Sequence, residues 1–123
     1  MKDPELEKCA LEPRCRAWLE KDGRPVFGDG RARLLEGILR AGSIKGGAAT
    51  LGMSYRNAWV HLNHMEQRLG MKLVERRVGG SHGGGCRLTP AGNRLLTAYR
   101  EFRKVLDREM PALWGKASRQ IGR

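Results

Sequence analysis

A mainly α-helical fold with a small amount of β structure is predicted by three observations. Apolar residues recur three and four apart in separate stretches between residues 29 and 106, the spacing of a one-sided helix. Two of those stretches are parted only by Gly52-Met53. A glycine-rich run, residues 79–85, lies between two short segments of strand-like composition.

Residues 1–14 mix charges with little periodicity and read as a frayed or helical lead-in. Two short apolar runs, Ala17-Trp18-Leu19 and Pro25-Val26-Phe27, flank Asp22-Gly23, a strong hairpin signal. Trp18 and Phe27 are the expected core-facing pair. Asp29 is placed to cap a helix through Arg31, Leu34, Leu35, Ile38 and Leu39 that stops at Ala41-Gly42. Ser43 caps a short second helix, Ile44 to Leu51, with small residues at Ala48 and Ala49. Gly52 ends it, because the position after a helix often needs positive φ.

Ser54 then caps a third helix with Ala58, Leu62, Met65 and Leu69 on one face, closed by Gly70. Two helices joined this tightly, with alanines where the backbones approach, form a helix-turn-helix pattern. Residues 72–78 read as a strand, 79–85 as a loop, and Cys86-Arg87-Leu88 as the returning strand. Thr89-Pro90 starts the last helix, which carries Leu95, Tyr99, Phe102 and Leu106 and is expected to end near Met110-Pro111. The order is hairpin, three helices, two-stranded wing, long helix: a winged helix-turn-helix. Residues 1–15 form its lead-in, 16–110 the domain, and 111–123 a basic tail.

At 123 residues the chain supports one modest core. Its formal net charge is +11, which draws a domain toward polyanions, most often nucleic acid. The excess does not sit in a detachable tail: residues 1–24 balance six bases against six acids, and the surplus begins at residue 25. Charge alone leaves RNA-binding readings open. No run approaches the ~20 apolar residues of a membrane span, and the N-terminus lacks the apolar stretch of a secretory signal, so no membrane partner is expected. The cysteines, Cys9, Cys15 and Cys86, are odd in number and lack metal-site spacing, as suits a reducing cytoplasm.

Several motifs together resemble a known family. Gly42-Ser43-Ile44 through Ala48-Ala49, Gly52-Met53-Ser54-Tyr55-Arg56-Asn57-Ala58-Trp59, Leu73-Val74-Glu75-Arg76, the glycine-rich wing and Leu88-Thr89-Pro90-Ala91-Gly92 are similar to the DNA-binding domain of molybdate-responsive ModE regulators. Trp18-Leu19-Glu20 and Gly28-Asp29-Gly30-Arg31 also fit, so the resemblance covers roughly residues 16 to 106. LysR-type regulators share a more distant version of the pattern. The resemblance implies DNA binding and dimerisation. Full-length ModE regulators continue into oxyanion-binding domains that these 123 residues do not accommodate, so a standalone form is expected and molybdate sensing is not carried over.

On the third helix, Arg56, Val60, Asn63 and Gln67 fall opposite the apolar face, with Asn57 and His64 at its edge. Arginine pairs bidentately with guanine, asparagine or glutamine with adenine, and a small apolar group meets a thymine methyl. The N–H groups near Ser54 and Tyr55 suit a phosphate, as does Lys45. In the wing, Arg76, Arg77, Ser81, His82 and Arg87 can reach backbone or minor groove. The bland counterparts are a solvated polar face and a glycine hairpin tip.

Tyr55 and Trp59 beside the apolar face suit packing better than base stacking. His61 and His64 lie three apart but have no thiol or carboxylate companions for a metal. Cys9 and Cys15 leave a redox or metal role open, and Cys86 reads as a small buried residue. The glycine loop lacks the lysine and hydroxyl of a P-loop. No nucleophile–base pair is evident, so neither an enzyme nor a cofactor is expected. The last helix has more apolar surface than one small domain needs, which points to a homodimer with recognition helices ~34 Å apart. The leading expectation is a sequence-specific duplex-DNA-binding regulator. A sequence-tolerant architectural or RNA-associated protein, and a winged protein-docking module, are the alternatives.

Overall fold

Ten elements follow one another in the computed structural model, which describes residues 3–77 and 85–122. They are α1 (Pro4–Lys8), β1 (Trp18–Lys21), β2 (Arg24–Gly28), α2 (Asp29–Ala41), α3 (Ile44–Thr50), α4 (Tyr55–Leu69), β3 (Val74–Arg77), β4 (Gly85–Leu88), α5 (Pro90–Ala117) and α6 (Arg119–Gly122). The chain divides into two compact units: Ala17–Arg100, and Met1–Arg16 with Glu101–Arg123.

In the larger unit, β1 and β2 form an antiparallel hairpin whose turn residues both have positive φ, 53° at Asp22 and 76° at Gly23. That is the geometry a two-residue hairpin turn requires. Phe27 is buried as expected, but Trp18 is 56% exposed. Residues directly opposite across an antiparallel pair share a face. Phe27 is paired with Leu19, and Trp18 with Gly28, so Leu19 turns inward and Trp18 outward.

The core of this unit joins Phe27, Leu34, Leu35 and Ile38 to Leu62, Met65, Leu73 and Leu96. Phe27 meets Tyr99 edge-to-face, with ring centroids 5.2 Å apart. The Tyr99 hydroxyl lies 2.9 Å from the Ala17 carbonyl and 2.5 Å from Asp29 Oδ1. Asp29 is therefore the first residue of α2 and not its cap; Gly28 holds that place without a side-chain bond. Ser43 and Ser54 cap as expected, accepting from Gly46 N (2.9 Å) and Asn57 N (3.1 Å). Thr89 Oγ1 accepts from Gly92 N (3.0 Å) while donating to the Lys72 carbonyl (2.7 Å).

Two close approaches set the helix angles. A Cβ at Gly47 would lie 2.7 Å from Ile38 N, so α3 rests backbone to backbone on α2. A Cβ at Gly92 would overlap the Leu73 carbonyl, which seats the start of α5 against the entry to the wing.

A buried carboxylate fixes the turn after α4. Glu66 is 7% exposed, and its Oε2 accepts from Leu73 N (2.8 Å) and Val74 N (3.2 Å). Lys72 Nζ lies 3.5 Å from its other oxygen.

The expected stop at Met110-Pro111 does not occur: α5 continues through Pro111 to Ala117. Proline removes one helical N–H but leaves neighbouring bonds able to carry the helix on. In the smaller unit, Trp114 Nε1 donates to the Leu11 carbonyl (3.1 Å), and Asp3 N to the Ile121 carbonyl (3.0 Å). Asp3 caps α1 through Glu5 N and Leu6 N. Among the described residues no helix is long and apolar enough to cross a membrane.

Candidate nucleic-acid interface

Helix α4 is held on three sides, which leaves one strip outward. Ala58, Leu62 and Met65 are fully buried beneath it. Gly70, with φ of 70°, returns its N–H to the Glu66 carbonyl and closes the helix. On the outward strip Arg56, Asn57, Asn63 and Gln67 are exposed, and Val60 is 59% exposed. Among the described residues none of these four polar side chains has a hydrogen-bond or ion-pair partner, so their donors and acceptors are available to a ligand. The strip begins at the Ser54 cap, where the N–H groups of the first turn and the helix dipole favour an anion.

The two flanks of α4 are anchored differently. On one, Tyr55 and Trp59 meet edge-to-face at 6.3 Å, and Arg76 of β3 lies 4.6 Å over the Trp59 ring while donating to the Tyr55 hydroxyl (3.0 Å). Both aromatics thus tie the helix to the wing, and Arg76 is shared with them. On the other flank, Arg31 of α2 donates to the Val26 carbonyl (2.8 Å) and lies 2.8 Å from His64 Nδ1 and 3.4 Å from His61 Nδ1. His64, placed by sequence at the edge of the outward strip, is half-buried and already engaged there.

The wing's strands pair Val74 with Leu88, Glu75 with Arg87, Arg76 with Cys86 and Arg77 with Gly85. Arg87 Nε is bonded to Glu75 Oε1 at 2.7 Å, so its charge is partly offset within the ladder. Cys86 is buried, and its N–H donates to the Gly42 carbonyl (2.8 Å), which moors the wing on the turn between α2 and α3. Ser81 and His82, with the rest of residues 78–84, lie outside the described residues. Lys45 is exposed in the first turn of α3.

Burial first, and the Arg31 cation second, lower the pKa values of His61 and His64; Arg68 adds to the effect at His64. The neutral rings are therefore the folded forms. An unfolded histidine titrates near pH ~6.5, so this contribution to stability is present above that pH and is lost as pH falls through the lowered folded values. Thermal unfolding is expected to show a lower Tm at pH 5.5 than at pH 7.5. The His61→Asn, His64→Asn double variant is expected to flatten that difference; an undiminished slope in it would place the titration elsewhere.

Burial raises the Cys86 pKa, in keeping with an inert core thiol. Cys9 is exposed and Cys15 half-buried. Among the described residues no three His, Cys, Asp or Glu side chains gather as metal ligands.

Sequence reading placed Arg31 on the helix after the hairpin without its histidine partners, and did not single out Glu66 or Gly47. Arg31 meets its histidines across 30 and 33 residues of chain, a separation that no local spacing reveals. A polar residue near the buried side of α4 was the available signal for Glu66. The Gly46-Gly47 pair inside a helix was the signal for Gly47.

An outward polar strip on the second helix of a helix-turn-helix, beside a two-stranded wing, defines a winged helix-turn-helix protein. Residues 31–93 match the model of bacterial regulatory helix-turn-helix proteins of the lysR family, and the chain belongs to that family. It is 36% identical over 100 residues to the molybdenum-pterin-binding protein MopA of Rhodobacter capsulatus, a match covering 81% of this chain and 38% of MopA. It is 46% identical over 69 residues to the DNA-binding transcriptional dual regulator ModE of Escherichia coli K12, covering 56% of this chain and 26% of ModE. The matches thus take in well under half of these relatives' length. The resemblance to ModE regulators read from the residues stands. The fold resembles that of the CbnR DNA-binding domain in its DNA complex, with a TM-score of 0.56 at 24% identity over 72% of this chain and 95% of that one.

Proposed function

We propose that the chain is a sequence-specific regulator of transcription that reads duplex DNA with α4 in the major groove. The observation that carries this reading is the strip of Arg56, Asn57, Val60, Asn63 and Gln67, exposed and without internal partners on a helix whose opposite face is locked in the core. A merely solvated face has no need of this mixture, whereas guanine, adenine and thymine edges each match one of its members. The first-turn N–H groups after Ser54, at Tyr55 and Arg56, take a phosphate, and Lys45 takes another. Arg76, Arg77, Ser81, His82 and Arg87 give the wing a grip on backbone or minor groove that is mostly indifferent to sequence. Arg76 acts there while stacked on Trp59, and Arg87 while paired with Glu75.

The protein works as a homodimer through α5, whose Phe102 and Leu113 are 46% and 60% exposed. Two copies related by a twofold axis present their α4 helices to successive major grooves. Three free cysteines and the regulatory relatives fit work in the cytoplasm, with no catalytic step and no cofactor.

Footprinting on genomic fragments at moderate salt is expected to protect discrete sites. Affinity for such a site is expected to fall steeply with salt, by ~10³-fold or more between ~50 and ~200 mM if six or more phosphates are neutralised. Uniform protection, or preference for structured RNA, would favour the sequence-tolerant alternative. Loss of DNA binding with dimerisation intact, on replacing Arg56 and Asn57 by alanine, would exclude a protein-docking module.

A further inference from the structure

The hairpin flank of α4 carries a cationic basin that base reading does not explain. Arg31 is half-buried, yet among the described residues no carboxylate forms an ion pair with it. Among the described residues its partners are one carbonyl and the Nδ1 atoms of His61 and His64. A guanidinium has donors only, so both Nδ1 atoms accept, and each neutral ring keeps its proton on Nε2. Three of the five guanidinium N–H groups are used in this way, and the other two have no partner among the described residues. A cation drawn out of water is ordinarily matched by an anion. Here the match is missing.

Arg31 and His64 open onto a depression of about 680 Å³, whose lining also includes Trp18, Arg24, Phe27 and Arg68. No carboxylate belongs to that lining. Two of the carbonyls at its wall are already taken, Val26 by Arg31 and Arg68 by Lys21 Nζ (2.9 Å). Glu20, outside the lining, is held on the Trp18 indole N–H (2.8 Å). The basin therefore offers positive charge and N–H donors, and its volume exceeds what one tetrahedral anion fills. A phosphoryl group carried on a larger body fits it.

We propose that this depression binds a phosphoryl group, and that its source is a backbone phosphate of duplex DNA on the border of the groove opposite the wing. The choice of source rests on the reading of α4 given above. A helix in the major groove lies between two phosphate backbones. One flank of α4, through Tyr55 and Trp59, faces the wing's Arg76. The other flank, through His61 and His64, faces Arg31 and the hairpin. The wing serves one backbone, and the basin serves the other.

The test uses the full chain in phosphate-free buffer, with Arg24→Ala and Arg31→Lys compared with the parent. Arg24 is exposed, so its loss is expected to leave the fold intact, and unfolding curves are to be compared with the parent's for Arg31→Lys. One arm titrates inorganic phosphate and follows the Trp18 indole and His64 ring signals by NMR. The other measures duplex affinity against salt concentration. The proposal expects saturable shifts of both signals, weakened in Arg24→Ala. It also expects both variants to lose affinity by a similar factor on a protected site and on unrelated duplex, with the log–log salt slope reduced by about 1 in Arg24→Ala, which deletes a cation, and unchanged in Arg31→Lys, which keeps the charge and loses only the guanidinium fork.

Phosphate-induced shifts with an unchanged salt slope in Arg24→Ala would keep the phosphoryl site and overturn DNA as its source. A reduced slope without those shifts supports the DNA source. Absence of both effects overturns the proposal. If the parent binds no duplex at all, the DNA reading of α4 fails, and the phosphate arm still decides whether the basin is an anion site.

Discussion

Replacing Glu66 with alanine is expected to be the most destabilising exchange of a single polar side chain in the larger unit. Its carboxylate accepts from Leu73 N at 2.8 Å and Val74 N at 3.2 Å, and all three groups are buried. Alanine would orphan both amides in a space from which water is excluded. Each such orphan costs ~1–3 kcal/mol, so the expected loss is ~2–6 kcal/mol against a typical total of ~5–15 kcal/mol. Glu66→Gln retains one acceptor oxygen and is expected to lose ~1–2 kcal/mol, the difference between charged and neutral hydrogen bonds. Urea unfolding followed by circular dichroism reads both. An alanine variant within ~0.5 kcal/mol of the parent would fall in the range of ordinary surface changes and would contradict this account of the α4–β3 turn. Loss of the turn would also loosen the wing, because β3 begins at Val74.

The second large effect concerns binding and should leave stability alone. The Arg56→Ala, Asn57→Ala double variant removes two exposed side chains that have no partner among the described residues. Its melting temperature should therefore match the parent's, since exposed, partnerless positions usually change stability by under ~0.5 kcal/mol. Each good base contact is worth ~1–3 kcal/mol of discrimination. Affinity for a specific site should accordingly drop by ~30-fold to ~10⁴-fold. Affinity for unrelated duplex should drop far less, by the share of Arg56's charge alone. Fluorescence anisotropy with the two duplexes separates these quantities. Equal losses on both would assign Arg56 and Asn57 to the phosphate backbone and move base reading to Val60, Asn63 and Gln67.

Most of the helical frame was legible because its signals are local. Ser43, Ser54 and Thr89 cap where hydroxyls precede apolar periods, and Gly42 and Gly70 take the positive φ that ends α2 and α4. The hairpin was legible from Asp22-Gly23, but not which aromatic it buries. That depends on the bulge between Leu19 and Glu20 and the pairing it leaves. Asp29 looked like a cap because capping residues are recognised by type; the carboxylate instead meets Tyr99, 70 residues away. Pro111 looked like a stop, although a single missing N–H does not oblige a long helix to end.

The exposed polar strip on α4 was visible from helical spacing alone. Its flanks were not. Whether His64 reads a base or holds Arg31, and whether Arg76 is free or stacked on Trp59, depends on what other elements bring alongside. Arg87 likewise reads as a free cation until its cross-strand neighbour Glu75 is known.

The central claim is that the strip from Arg56 to Gln67 selects DNA sequence. Its most direct test is selection of duplexes from a random pool by the full chain at ~150 mM salt, where specific and non-specific binding are well separated, followed by sequencing. The account predicts enrichment of a defined motif, bound ~10³-fold or more tightly than scrambled duplex, and collapse of that ratio in the Arg56→Ala, Asn57→Ala variant. A pool that stays random, with scrambled and selected duplexes bound equally well, would contradict it.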